Sequence, residues 1–155
     1  MAETDLYLYQ TTRVIIGAFY YVFNRLGSGF LESVYHRALG FTLERSGRHV
    51  EREAALSVAF EGQVVGEFRA DLIVDQQVLV EVKAVEHIVA AHEAQVINYV
   101  RASGLPVGLL LNFGARPSYL RFVGPAATRG SGGLRQANEA VDGMPKRQDA
   151  LRSSG

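Results

Sequence analysis

The sequence predicts an α/β domain with a mixed sheet: an αβββαβ core carrying an extra helix at its N-terminal end. Three observations lead there. Apolar spacing is helical up to about residue 46, turns to extended alternation from His49 to Lys83, and is helical again over 88–102. A continuous apolar run, Leu105 to Asn112, then follows a helix, which marks a strand buried on both faces. With 155 residues, 48% of them apolar, the chain is long enough for one sizeable core, so a single domain is expected.

Residues 5–26 read as the first helix, closed by Gly27. Its aromatic residues (Tyr7, Tyr9, Phe19, Tyr20, Tyr21, Phe23) wrap more of the circumference than one core face needs, so this helix is either covered on two sides or forms a homodimer contact. After Gly27-Ser28-Gly29, residues 30–46 form a second helix with the apolar stripe Leu31, Val34, Tyr35 and Ala38. Residues 50–60 and 63–74 suit two strands joined at Glu61-Gly62, the second bent near Gly66. Asp75-Gln76-Gln77 turn the chain into a third strand, Val78 to Lys83. A helix over 88–102 and strands over 105–112 and about 119–123 complete the domain, taken as residues 1–123. Residues 124–155, rich in Gly, Ser, Ala, Arg and Gln, hold too few large apolar groups to offset ordering entropy and are expected to form a disordered tail.

Composition narrows the chemistry. Without cysteine, disulfides and thiolate metal sites are excluded, and a reducing cytoplasm fits. Any metal must sit on oxygen or imidazole, which favours Mg²⁺ or Mn²⁺. The formal net charge of zero offers no global argument for nucleic acid, although a local basic groove would suffice. The longest apolar run, Val14 to Phe23, is about half of the ~20 residues that span a bilayer, and the acidic start, Met1 to Asp5, does not read as a signal peptide; a soluble protein is expected.

The informative charges lie in the hairpin of residues 70–83. A turn centred on Gln76 sets Asp71 directly opposite Glu81, with Cβ atoms ~4.5–5.5 Å apart. Glu81 and Lys83 share a strand face, while Leu72, Val74, Val78, Val80 and Val82 form the other. Opposed carboxylates repel unless a divalent cation or a shared proton lies between them. Of 16 basic residues, 14 are arginine, and Lys83 is the sole lysine of the predicted domain. An amine on a flexible stem can orient or deprotonate a water, which guanidinium cannot. These three residues therefore point to a metal-dependent phosphodiesterase site; an ordinary hairpin with an exposed Glu-x-Lys pair is the plainer alternative.

Glu32, in the first turn of the second helix, is either a further ligand pointing into that site or, with Gly29 as N-cap, an N3 carboxylate reaching back to the cap. Tyr35 reads as a core aromatic. His92, Gln95 and Tyr99 form a polar stripe along the later helix, fit either for contact with phosphate or water or for a satisfied boundary. His36, His49 and His87 receive no role.

Several of these stretches resemble a known family. Gly29-Phe30-Leu31-Glu32-Ser33-Val34-Tyr35 matches the signature of the GxxExxY proteins, a branch of the PD-(D/E)XK nuclease superfamily with a restriction-endonuclease-like core. The similarity continues through Phe68-Arg69-Ala70-Asp71-Leu72, Val80-Glu81-Val82-Lys83-Ala84, His92-Glu93-Ala94-Gln95 with Asn98-Tyr99, and Gly108 to Gly114, over roughly residues 5–123. The resemblance implies that Asp71, Glu81 and the carbonyl of Val82 bind Mg²⁺ or Mn²⁺, that Lys83 positions the attacking water, and that Glu32, Gln95 and Tyr99 complete the site. A nuclease acting on nucleic acid, with DNA favoured through the superfamily, is the function expected. A non-catalytic nucleic-acid-binding or assembly module on the same fold is the rival, and hydrolysis of a small phosphate ester a third reading.

Overall fold

The computed structural model describes residues 3–125. Helix α1 (Glu3–Leu26) and helix α2 (Glu32–Arg45) precede strands β1 (Val50–Phe60), β2 (Gln63–Val74) and β3 (Val78–Lys83). Helix α3 (Ala90–Ser103) crosses to β4 (Val107–Asn112), and β5 (Ser118–Val123) closes the order. The five strands form one sheet in sequence order, antiparallel except for the β3–β4 pair, which α3 connects in parallel. The predicted mixed α/β architecture is the one observed. Beyond residue 125, the expected tail lies outside the described residues.

Each face of the sheet is covered by its own helices. Leu72, Val74, Val78, Val80, Val82, Val107, Leu109 and Leu111 pack against Leu8, Ile15, Phe19 and Val22 of α1 and Tyr35, Leu39 and Leu43 of α2. On the other face Ile73, Leu79, Leu110 and Phe122 meet Val96 and Val100 of α3. All six residues of β4 are therefore buried, which is why that segment reads as an unbroken apolar run. At about 1.5–3 kcal/mol per fully buried large aliphatic side chain, these two layers hold the sheet between the helices.

Two turn geometries set the register that matters for the site. Asp75 and Gln76 both have positive φ (52° and 56°), and the Gln77 amide donates to the Val74 carbonyl, so residues 75–77 join the strands through a left-handed β-turn. Pairing then runs Val74↔Val78, Ile73↔Leu79 and Leu72↔Val80, the alignment expected from the sequence. On the β1 side the register slips between Val58 and Ala59, opposite Gly66, where the bend is expected.

Helix α2 starts at Glu32, with Leu31 as N-cap, two residues later than the spacing suggests. Glu32 is thus the first helical residue, and the reach back to Gly29 as a cap is not made. Leu31 and Val34, assigned to the apolar stripe, are exposed; Tyr35, Leu39 and Leu43 carry the packing instead. Tyr35 is fully buried, stacked on Phe113 with ring centroids 4.5 Å apart. Its hydroxyl donates to the Gly27 carbonyl (2.6 Å) and accepts from the Phe30 amide (3.2 Å), so it ties down the loop that leads into α2. Tyr35→Phe should cost about 1–3 kcal/mol by leaving these backbone groups without their partner, measurable as a lower denaturation midpoint at unchanged slope.

Candidate active site

Asp71 stands where the regular pairing of β2 gives way. The β1 ladder passes from Arg52↔Leu72 to Ala54↔Ala70, with Glu53 at φ 48° between them, and the β3 ladder ends at Leu72↔Val80. Leu72 and Val74 face the α1–α2 side while Ala70 packs on the α3 side, so the side-chain alternation of β2 also breaks at this residue. Side chains take over the bonding. The Asp71 amide donates to Glu81 Oε1 (3.1 Å), and the Val82 amide donates to Asp71 Oδ2 (2.8 Å). The two acids therefore converge across the hairpin, each bonded to the other's strand. Within a strand, the amide and carbonyl of one residue point to the same edge, so the Val82 carbonyl also faces Asp71.

Glu81 is only 4% exposed. Burial, followed by the charge of Asp71, pushes its carboxyl up to about 8 from an ordinary 4.5, while Lys83 acts in the opposite direction. Lys83, half-buried at the end of β3, makes no direct ion pair among the described residues. Glu32 enters from the start of α2. Its side chain keeps exposed surface, yet protein on one side desolvates the carboxyl and raises its pKa; Lys83 lowers it and Asp71 raises it again. Glu32 therefore lies within electrostatic reach of both, and of His92 and His36.

Gln95 and Tyr99 turn to each other. Gln95 Nε2 donates to the Tyr99 hydroxyl (3.0 Å), and the Tyr99 ring stacks on Phe68 at 3.8 Å, three residues before Asp71. Neither is hydrogen-bonded to Asp71, Glu81 or Lys83. His92 closes the first turn of α3, its Nδ1 accepting the Val89 amide at 3.2 Å.

Two residues without a role in the sequence reading have one here. Buried Asn112 accepts the Val85 amide (3.0 Å) and donates to the Val85 carbonyl (2.9 Å), and the Phe113 amide bonds the Lys83 carbonyl (2.7 Å). The chain leaving Lys83 is thereby held on both sides, the amide side chain offering an acceptor to the Val85 N–H and a donor to its carbonyl. His36, one turn after Glu32, places Nε2 2.8 Å from the Asp71 carbonyl. The i, i+4 spacing from Glu32 is the one signal that could have singled it out.

Among the described residues no group of three or more His, Asp or Glu side chains is gathered closely enough to hold a metal ion. The pair of acids nonetheless fits a hard divalent cation. Burial and the charge of Asp71 both disfavour a charged Glu81, a divalent cation between the two acids would offset both, and the two carboxyl groups offer it hard oxygen donors.

A mixed sheet sandwiched between helices, with acids meeting at the open end of its central hairpin, defines a nuclease-like fold. The family model described as the PD-(D/E)XK nuclease superfamily matches residues 9–122, and the chain belongs to that superfamily. Among solved structures, the one titled "Crystal structure of SSO0001" is similar in fold, with a TM-score of 0.51 and 20% identity over 60% of this chain. This chain spans half the length of that one. No curated protein matches the sequence. No helix among the described residues is long and apolar enough to cross a membrane.

Proposed function

We propose that this protein is a metal-dependent nuclease of the GxxExxY branch that hydrolyses phosphodiester bonds, with DNA as the favoured substrate. The observation that carries the reading is the Asp71–Glu81 pair, bonded across the hairpin with one carboxyl driven to about 8. Asp71, Glu81 and the Val82 carbonyl would hold Mg²⁺ or Mn²⁺. When bound, such an ion polarises the phosphoryl oxygen and neutralises charge developing on the leaving group. Lys83, without an ion-pair partner to hold it, is free to orient a water toward the phosphorus. Glu32, within electrostatic reach of the amine, would accept a hydrogen bond from that water, while Gln95 and Tyr99 line the α3 side.

Contact with nucleic acid does not require net positive charge. On the α1–α2 surface Arg25 lies 3.5 Å over the Tyr21 ring and Arg45 donates to the Tyr21 hydroxyl (3.1 Å), and neither guanidinium has an ion-pair partner among the described residues. Exposed cations beside an aromatic face suit a phosphate backbone. A cytoplasmic location and a homodimer through α1 belong to the same reading, the latter because Tyr9, Tyr20 and Tyr21 remain exposed on that helix.

The test is to incubate purified protein with supercoiled, linear, branched and single-stranded nucleic acids in Mg²⁺, Mn²⁺ or EDTA. Cutting with metal and none with EDTA is expected. The rival, a non-catalytic binding or assembly module, draws on the absence of a third clustered ligand among the described residues. It takes over if no substrate is cut in either metal.

A further inference from the structure

Asp71 is a strand residue that neither neighbouring ladder pairs. Its amide is held by Glu81 Oε1 and its carbonyl by His36 Nε2, so both main-chain groups rest on side chains brought from elsewhere. A strand normally fixes the direction of a side chain through its ladder bonds, because peptide planes pinned on both sides leave Cβ one orientation. Where those bonds lapse, something else must stop the peptide from rotating.

We infer that His36 is a positioning residue: from α2 it clamps the Asp71 carbonyl and so keeps the Asp71 carboxylate aimed at the Val82 amide. The inference deepens the metal-site reading, because the carboxylate so aimed is the one assigned to the cation. The carbonyl can only accept, so Nε2 must carry the hydrogen, and Nδ1 is then left without one in the neutral ring. The imidazole is stiff, with two rotatable bonds, and sits on a helix whose next turn, Leu39 and Leu43, is fixed in the core. One helix face therefore presents Glu32 to the site and, four residues on, His36 to the backbone that carries Asp71. Partners of this kind, which touch a ligand residue and not the metal, commonly change metal affinity by about 10- to 100-fold when removed.

The experiment uses the full chain with His36→Ala, His36→Asn and His36→Gln. Amide hydrogen exchange without metal reads the clamp directly at Val82, whose amide bonds Asp71 Oδ2. Glutamine places its amide nitrogen about where Nε2 lies, whereas asparagine falls short. His36→Ala and His36→Asn should speed Val82 exchange about tenfold or more while the β4 amides keep wild-type rates, and His36→Gln should restore protection. Mn²⁺ titration should follow the same order, with affinity about 10-fold or more weaker for the first two variants and near wild type for the third. Unchanged Val82 exchange in His36→Ala, or failure of His36→Gln to differ from His36→Asn, overturns the clamp. Should wild type take up no Mn²⁺, the metal-site reading fails, and the clamp is still decided by the exchange rates.

Discussion

Asp71→Asn is expected to lower metal-dependent cleavage by about 10³-fold or more, equivalent to roughly 4 kcal/mol of barrier. The substitution keeps the shape of the side chain and an oxygen that can accept the Val82 amide, so only the charge is removed. Its fold and its unfolding midpoint should therefore stay close to wild type, or rise in the absence of metal, since the repulsion acting on Glu81 is relieved. Mn²⁺ uptake should disappear together with cleavage. Lys83→Ala separates the roles: about 10²–10⁴-fold less cleavage is expected with metal uptake retained, because the amine is assigned to the water rather than to the ion. Cleavage by both variants at the wild-type rate would leave the fold without the assigned chemistry.

The second large effect is on stability, and it follows from Glu81. Its folded pKa of about 8 lies above the ordinary 4.5, so between those values the folded chain holds a proton that the unfolded chain has released. Stability is thus at its fullest below pH 4.5 as far as this group is concerned, and falls as pH rises toward 8, by up to about 1.4 kcal/mol per pH unit. A divalent cation removes the reason for the proton. With Mg²⁺ at about 100 times its dissociation constant, roughly 2.7 kcal/mol should return at pH 8. Denaturant unfolding from pH 5 to 8.5, in EDTA and then in Mg²⁺, checks both statements. Glu81→Gln provides the reference: the difference between it and wild type isolates this carboxyl, and parallel profiles for the two proteins would refute the assignment.

Much of this was legible before any coordinates. The hairpin register could be read because Asp75-Gln76-Gln77 form a short turn centred on Gln76 and because the apolar set Leu72, Val74, Val78, Val80 and Val82 must face one way. A one-residue slip would turn Val78, Val80 and Val82 to the α3 side and bring Glu81 and Lys83 into the apolar layer instead. Helix boundaries were harder. Leu31 and Val34 fit a helical stripe by spacing alone, but the loop held by the Tyr35 hydroxyl delays the helix to Glu32 and turns them outward. That delay also changes the position of Glu32, from one that could reach back to a cap to the opening residue of the helix, within reach of Lys83 and Asp71.

By itself, then, the chain's own pattern determined the element order, the mixed sheet, the meeting of residues 71 and 81 and the shared face of Glu81 and Lys83, since these depend on spacing within one turn and two strands. Tertiary structure alone decided that pairing lapses at Asp71, that His36 and Glu81 hold its main chain, and that Asn112 secures the exit from Lys83. The physical reason is range. Periodicity reports which way a side chain points relative to its neighbours in sequence. A bond between residues 36 and 71, or between 85 and 112, exists only once packed helices and sheet bring those backbones to within 3 Å of a donor or acceptor.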